Sequence, residues 1–225
     1  MIAVSDLHVT PDLDIYTEPD PDPDTLTQLG PLAPLAGTWV GTGLDVHPKD
    51  PAIDPNGREP FEERYELVPI DPQTNGPQLL YGLRYHTRIV KPGEVEMFHE
   101  QVGFWLWEPA ARRVTHTVAI PRGQVALASG TCEPDAVTFE VSAERGLPTY
   151  GIVSSPFLDA AFTTTHFRMT VTVNPDGTWS YSQTTRLVIP DRNEPYDHVD
   201  RNTLQRVAAP VRNPMAGGPL LPPVA

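Results

Sequence analysis

Basic residues are scarce in this sequence. Its 225 residues include 16 Lys and Arg against 29 Asp and Glu, which gives a formal net charge of −13. Proteins that bind nucleic acids use clustered Lys and Arg to displace counterions from the phosphates, and no basic stripe is present here. The same deficit disfavours binding to an anionic membrane surface. We therefore expect neither a nucleic acid nor a membrane as a partner.

Long apolar runs and paired cysteines are also missing. The opening segment MIAVSDLHVTPD has no basic region and no long apolar run, so we expect no signal peptide. No segment approaches the length of a membrane span. Cys132 is the only cysteine, which excludes an intramolecular disulfide and suits a reducing compartment. These absences predict a cytoplasmic protein.

The common motifs of hydrolases and zinc enzymes are absent. There is no G-x-S-x-G and no H-E-x-x-H, since the similar segment HEQVG ends in Gly103. Glu62 and Glu63 are adjacent and point to opposite faces of a strand, so they cannot share a proton without a β-bulge. Glu133 beside Cys132 is expected to raise the pKa of the thiol, which disfavours a nucleophile. Conventional hydrolytic or metal chemistry is therefore poorly supported.

The sequence does contain a series of short runs rich in Val, Thr, Tyr, Phe and Trp, separated by turn sequences such as DPNG and NPDG. This pattern predicts β-strands, and helical periodicity is confined to 26–37 and 155–162. The predicted strands span 37–46, 61–69, 78–90, 95–107, 113–119, 124–132, 136–143, 162–173, 178–189 and 196–207. About ten successive antiparallel strands hide their edges in a closed barrel, so we predict an all-β, up-and-down β-barrel with one or two short helices. A two-sheet sandwich is the alternative.

Proline marks the two ends of the chain. The sequence has 27 prolines, well above the average usage of about 5%, and the excess lies mostly near the termini. We predict an acidic, Pro-rich disordered tail over 1–28, one barrel domain over 29–207, and a Pro- and Ala-rich disordered tail over 208–225. A barrel of this strand number encloses space for a small apolar ligand.

Glycine is concentrated in GTWVGTG, residues 37–43. Because side chains alternate along a strand, Gly37, Trp39, Gly41 and Gly43 share one face, and that face is nearly bare. The bare strip either lets a flat ligand lie against the backbone or relieves crowding where a neighbouring element packs close. The pattern alone leaves both interpretations open.

The segment LAPLAGTWVGTG resembles the opening of the nitrobindin family, haem-binding β-barrels in which a short helix leads into a strand carrying G-x-W-x-G-x-G. The segments FHEQVGFW (98–105) and VAIPRG (118–123) are similar to later family motifs. The resemblance implies a ten-stranded barrel that holds haem b in a wide cleft and isomerises peroxynitrite to nitrate. It also implies which residues bind the cofactor: Gly37, Trp39, Gly41, Thr42 and Gly43 on the first strand, with His99 in the cleft beside the haem.

By the same resemblance, His198 is the candidate axial ligand of the haem iron, because the family places this histidine on the final strand. The register departs from the family motif H-L-x-A-x-L-x-R, since Leu204 and Arg206 lie one residue further from His198 than the motif requires. Alignment through Leu204 puts Val199 at the ligand position and turns His198 to the other face, unless a β-bulge lies between Val199 and Asn202. We expect the other histidines to be solvated or to lie on the surface or in the core: His8, His47, His86, His116 and His166.

Two functions stay open, besides a partner-binding module that uses the tails, which only the Pro-rich ends support. One is a ferric haem barrel that isomerises peroxynitrite, with Arg84, Arg88 or Arg122 near the haem propionates. The other is a non-enzymatic carrier of a fatty acid or another apolar molecule, which has lost the axial histidine. In that case Arg84, Tyr85 or Arg186 would bind a carboxylate.

The segment GFWLWEP (103–109) is a candidate homodimer interface. Trp105 and Trp107 share one face of it, and either that face closes a dimer or it lines the cavity.

Overall fold

Twelve strands and three short helices are found in the computed structural model, which describes residues 14–47, 57–190 and 192–212. The helices are α1 (Thr25–Gln28), a 3₁₀ helix (Gly30–Leu35) and α2 (Pro156–Ala161). The strands are β1 (Gly37–Val46), β2 (Arg58–Pro69), β3 (Gln73–Asn75), β4 (Gln78–Val90), β5 (Met97–Glu108), β6 (Arg113–Ile120), β7 (Gln124–Thr131), β8 (Thr138–Arg145), β9 (Gly151–Ser154), β10 (Thr163–Val173), β11 (Trp179–Val188) and β12 (Tyr196–Ala208). Much of the two predicted tails lies outside the described residues. Within those residues, no helix has the length and apolar character needed to cross a membrane.

The strands close into a barrel. They are hydrogen-bonded in the order β2-β1-β12-β11-β10-β8-β9-β7-β6-β5-β4-β3, and a further pairing of β2 with β4 joins the two ends. β3 pairs with β4 beside this ring, so eleven strands form the barrel. The paired strands run antiparallel, except for the short pairing of β8 with β9, which is parallel. The predicted all-β barrel is therefore confirmed over the sandwich.

The predicted helical segment 26–37 is divided in two. Gly30 has a positive φ of 54°, and Pro31 and Pro34 lack the amide hydrogens that a continuous α-helix needs. The chain therefore turns from α1 into the 3₁₀ helix. α2 forms where a helix was predicted, with Ser155 as its N-cap, whose Oγ accepts a hydrogen bond from the amide of Leu158 at 3.5 Å.

The 3₁₀ helix closes one end of the barrel. Leu32 and Leu35 are fully buried there, and Trp39 Nε1 donates a hydrogen bond to Leu35 O at 2.7 Å. Trp39 packs edge-on against Trp179, with 6.2 Å between the ring centroids, and Trp107 is buried in the same cluster. These five residues form an apolar plug, so a ligand enters the barrel from the opposite end.

A layer of aromatic side chains fills the barrel next to the plug. Trp105 Nε1 donates to Tyr65 OH at 3.1 Å, and the Trp105 ring stacks on His116 at 3.8 Å. His116 is fully buried, and its ring nitrogens have no hydrogen-bond partner among the described residues. Burial lowers the pKa of His116 to about 3 and keeps the imidazole neutral. Trp105 and Trp107 therefore face the core rather than a dimer partner, and the homodimer stays a prediction.

Candidate ligand-binding site

A cavity of about 620 Å³ opens at the end of the barrel opposite the plug. Its volume lies within the usual range of small-molecule sites. The apolar part of its wall includes Phe61, Ile89, Phe98, Ile120, Met169 and Leu187. Helix α2 contributes Phe157 and Leu158 at the mouth, and both side chains are at least partly exposed. The cavity therefore has the shape and the lining of a site for a largely apolar molecule.

The inward face of β1 carries the glycines as predicted, but this strip does not line the cavity. Trp39 belongs to the plug, and Thr42 is exposed on the outer face. Gly37 lies against the end of β12, where an added Cβ would sit 2.7 Å from Ala208 O. The inward face of β1 reaches the cavity only at Asp45, two residues after Gly43.

Gly41 and Gly43 make room for protein side chains. An added Cβ at Gly41 would lie 2.6 Å from Asn202 Oδ1, and one at Gly43 would overlap the ring of Phe61. Phe61 lines the cavity, so Gly43 shapes the wall through this ring. Of the two interpretations of the bare strip, the structure shows close approach by neighbouring strands.

A buried carboxyl group, Glu63, lies in the deeper wall of the cavity. Its side chain accepts three hydrogen bonds: Thr87 Oγ1 donates to Oε1 at 2.6 Å, while Tyr181 OH and Asn202 Nδ2 donate to Oε2 at 2.8 and 2.7 Å. Burial raises the pKa of Glu63 above its usual value, although these hydrogen bonds oppose the shift. Sequence reasoning missed Glu63, because adjacency to Glu62 did not show which of the two faces inward.

A second polar group lies at the rim of the cavity and consists of Asp45, His47, His198 and Asp200. His198 Nε2 lies 2.8 Å from Asp45 Oδ1 and 3.6 Å from Asp200 Oδ1. Burial lowers the pKa of His198, but hydrogen bonds and charge from Asp200 and Asp45 outweigh it and raise the pKa to about 10. His47 Nδ1 lies 2.9 Å from the second carboxylate oxygen of Asp45. In this arrangement the His198 imidazole is a cation held between two carboxylates.

His198 faces the cavity, although the β-bulge expected between Val199 and Asn202 is not formed. The register of β12 against β11 runs without interruption from Tyr196 to Leu204. Asn202 and Leu204 are buried, and residues at even spacing from them share their inward face. His198 therefore points inward and Val199 lies on the opposite face. The expectation that an unbulged His198 turns away was wrong, because packing of Asn202 and Leu204 sets the orientation of the whole strand.

Comparison with known proteins places this geometry in a family. The family model described as a THAP4-like, heme-binding β-barrel domain matches residues 28–206. The chain belongs to this nitrobindin family. Among solved structures, it is similar to Rv2717c from M. tuberculosis, at 20% sequence identity and a TM-score of 0.55, over 81% of this chain and 96% of that one. No curated protein matches the chain.

The donor set around His198 does not fit an axial haem ligand in this nitrobindin-family chain. A histidine that ligates iron must be neutral and must present a free lone pair. Here Nε2 is directed at the carboxylates of Asp45 and Asp200, which stabilise a proton on it. This charged pairing is the feature in which the site departs from the haem site that the resemblance implies.

His99 and the predicted cations are divided between the cavity and the outer surface of the nitrobindin barrel. His99 lines the cavity, and burial lowers its pKa, which favours a neutral imidazole. Arg122 lines the mouth and donates from Nη2 to Phe98 O at 2.5 Å. Lys91, which sequence reasoning did not single out, is the second cation of the mouth.

The other predicted anion-binding groups do not line this cavity. Arg88 pairs with Glu66 and Arg186 with Asp197 on the outer surface, and Arg84 is exposed there. Tyr85 is buried, and its hydroxyl group donates to a backbone carbonyl, Thr117 O, at 3.0 Å.

Proposed function

We propose that the barrel binds a largely apolar small molecule and acts as a carrier rather than as a haem enzyme. The observation that carries this proposal is the contact between His198 Nε2 and Asp45, because it occupies the nitrogen atom that would have to bind iron. This contact lies beside a cavity of about 620 Å³ with an apolar wall. Family membership supports a ligand-binding barrel. The free thiol of Cys132 suits the cytoplasm as the compartment.

The charges around the mouth suggest the chemistry of the ligand. Lys91 and Arg122 lie at the mouth, whereas Asp45 and Asp200 form an acidic rim. A carboxylate is attracted by the two cations and repelled by the acidic rim, so an anionic end would lie beside Lys91 and Arg122. The apolar body would then extend into the barrel, and its chemistry is that of a fatty acid or a similar amphipathic acid.

Haem b with peroxynitrite isomerisation is the second candidate, because the family model describes a haem-binding domain. Haem, when bound, supplies an iron centre for the conversion of peroxynitrite to nitrate. For this function His198 would have to give up its proton and leave Asp45, while Lys91 and Arg122 would bind the propionates. The family description favours this candidate, and the ion pair at His198 disfavours it.

Titration with ferric haem, followed by visible absorbance, separates the two candidates. We compare wild type, His198→Ala and a control, His166→Ala. The control histidine lies on the outer face of β10, opposite Arg186 and Glu144. The carrier proposal predicts the same absorbance change in all three proteins, whatever its size. A saturable Soret shift at one equivalent, lost in His198→Ala and kept in His166→Ala, would contradict it and make peroxynitrite decay the next assay.

A further inference from the structure

We infer that the Tyr65 hydroxyl group, at the inner end of the cavity, binds a neutral oxygen atom of the ligand. The ligand is then an amphipathic acid whose apolar chain carries a carbonyl, ether or hydroxyl oxygen. The inference rests on the proposed carrier function and defines its class of ligand more closely. Tyr65 lines the cavity and is only 2% exposed. On β2 it lies opposite Trp39 of the plug, which places it at the closed end of the cavity.

The hydrogen bond between Tyr65 and Trp105 leaves the proton of the Tyr65 hydroxyl group unused. Trp105 Nε1 lies 3.1 Å from Tyr65 OH. An indole nitrogen only donates, so the Tyr65 oxygen is the acceptor in this bond. Among the residues that the structure describes, none accepts a hydrogen bond from Tyr65. Burial raises the pKa of Tyr65 well above its ordinary value, so the hydroxyl group keeps this proton. A buried donor without an acceptor is costly, and an acceptor on the ligand removes that cost.

The aromatic ring of Tyr65 is held in place by its neighbours. Its centroid lies 5.3 Å from that of Tyr85, and 5.4 Å from that of Trp179, which it meets edge to face. The hydroxyl oxygen is held by Trp105 as well. The side chain therefore stays at the cavity wall, while rotation about its C–O bond lets the proton point to an acceptor inside the cavity.

The surroundings of Tyr65 favour a neutral acceptor over a carboxylate. Glu63 lies two residues earlier on the same inward face, and its carboxyl group is already hydrogen-bonded by Thr87 and Tyr181. Among the described residues that line the cavity, lysine and arginine occur only at the mouth. A ligand carboxylate beside Tyr65 would therefore be buried without a cation, which costs far more than burial of a hydrogen-bonded neutral oxygen.

The distance from Tyr65 to the mouth indicates where this oxygen lies in the ligand. Tyr65 pairs with Thr87 on β4, and Lys91 follows Thr87 by four residues. At about 3.3 Å per residue, the separation is about 13 Å along the strand. An extended alkyl chain advances about 1.3 Å per C–C bond, so roughly ten bonds cover this distance. With its carboxylate beside Lys91 and Arg122, the acid would carry the oxygen at roughly the tenth to twelfth carbon atom.

Displacement of 1-anilinonaphthalene-8-sulfonate from the full chain by 12-oxooctadecanoate and by octadecanoate tests the inference. The measured quantity is the ratio of the two affinities, compared between wild type and Tyr65→Phe, which removes only the hydroxyl group. We expect this preference for the oxo acid to be about fivefold greater in wild type, as for one neutral hydrogen bond. Tyr81→Phe is the matched control and should keep the wild-type ratio. The Tyr81 hydroxyl is also buried, but it accepts a hydrogen bond from the Asp22 amide at 3.1 Å and does not line the cavity.

Two further measurements separate a hydrogen bond to the ligand from a structural role of Tyr65. Thermal unfolding establishes that each variant is folded. Isotope-edited infrared spectroscopy of the bound oxo acid, labelled at its ketone carbon, should show the carbonyl band at lower frequency in wild type than in Tyr65→Phe. Equal affinity ratios in these two proteins, or equal band frequencies, would overturn the inference and leave the carrier proposal standing. Failure of both acids to displace the probe from wild type would contradict the carrier function, and the inference with it.

Discussion

His198 on β12 and Asp45 on β1 form an ion pair across neighbouring strands, with 2.8 Å between Nε2 and Oδ1. Asp200 lies on the other side of the imidazole, so two carboxylates face one cation at the mouth of the barrel. This relationship is the observation on which the proposal of a carrier rests. A charged imidazole without a free lone pair stabilises the rim and cannot at the same time ligate iron.

Replacement of Asp45 by alanine should destabilise the fold. The change leaves His198 and His47 without their closest anionic partner in a mostly buried position, and hydrogen bonds to charged groups contribute about 1.5–3 kcal/mol. We expect a loss of that size in the free energy of unfolding, measured by urea denaturation. Asp197→Ala, which removes an exposed partner of Arg186, should cost less than about 1 kcal/mol. Equal losses in the two variants would show that the ion pair between His198 and Asp45 contributes no more to the free energy of unfolding than a surface ion pair.

Glu63 should make stability depend on pH. Burial raises its pKa in the folded protein above the value of 4.5 that it has when exposed, so the folded state binds the proton more tightly than the unfolded state. Its stabilising effect is present below about pH 4.5 and is lost as the pH rises through the folded pKa. Urea denaturation between pH 4 and pH 8 should show this decline in wild type and a flatter profile in Glu63→Gln.

The adjacent residue provides the control for that experiment. Glu62 lies on the outer face of β2, so Glu62→Gln should keep the pH dependence of wild type. A flatter profile in Glu62→Gln, or an unchanged profile in Glu63→Gln, would exclude Glu63 as its source.

Alanine at Gly41 or Gly43 should destabilise the protein without any ligand present. The new Cβ would meet Asn202 Oδ1 and Thr203 O at 2.6 Å in the first case, and the Phe61 ring in the second. Overpacking of this kind costs about 1–3 kcal/mol. Thermal unfolding of the ligand-free protein measures the effect. Thr42→Ala, on the exposed face between the two glycines, should stay within about 0.5 kcal/mol of wild type.

If both glycine variants were as stable as wild type, the result would favour the other interpretation, in which the bare strip makes room for a ligand.

The long strands could be predicted closely from the sequence, because their alternation of apolar and polar residues continues over many positions. β1 and β4 begin and end as predicted. β3 and β9 contain three and four residues, which is too short for a periodic pattern, and both were missed. The 3₁₀ helix was predicted as part of one continuous helix over 26–37. That prediction followed the spacing of the apolar residues and did not take into account that Gly30 and the two prolines interrupt an α-helix.

The site was less predictable, because it depends on how strands pair. The resemblance to the nitrobindin family identified His198 and His99, but the direction of His198 follows from the packing of Asn202 and Leu204. Asp45 and Glu63 were missed as site residues, since no local pattern shows that β1, β2 and β12 bring their carboxylates to one wall.

Displacement of a fluorescent apolar anion, 1-anilinonaphthalene-8-sulfonate, by oleate tests the carrier account most directly. The account predicts one saturable probe site in wild type that oleate empties, and binding of oleate about fivefold weaker in Arg122→Ala, as expected for loss of one ion pair. Arg84→Ala, which removes an exposed arginine from the outer surface, should bind oleate like wild type. Absence of a saturable site, or equal affinities in Arg122→Ala and Arg84→Ala, would contradict an amphipathic acid held at the mouth of this cavity.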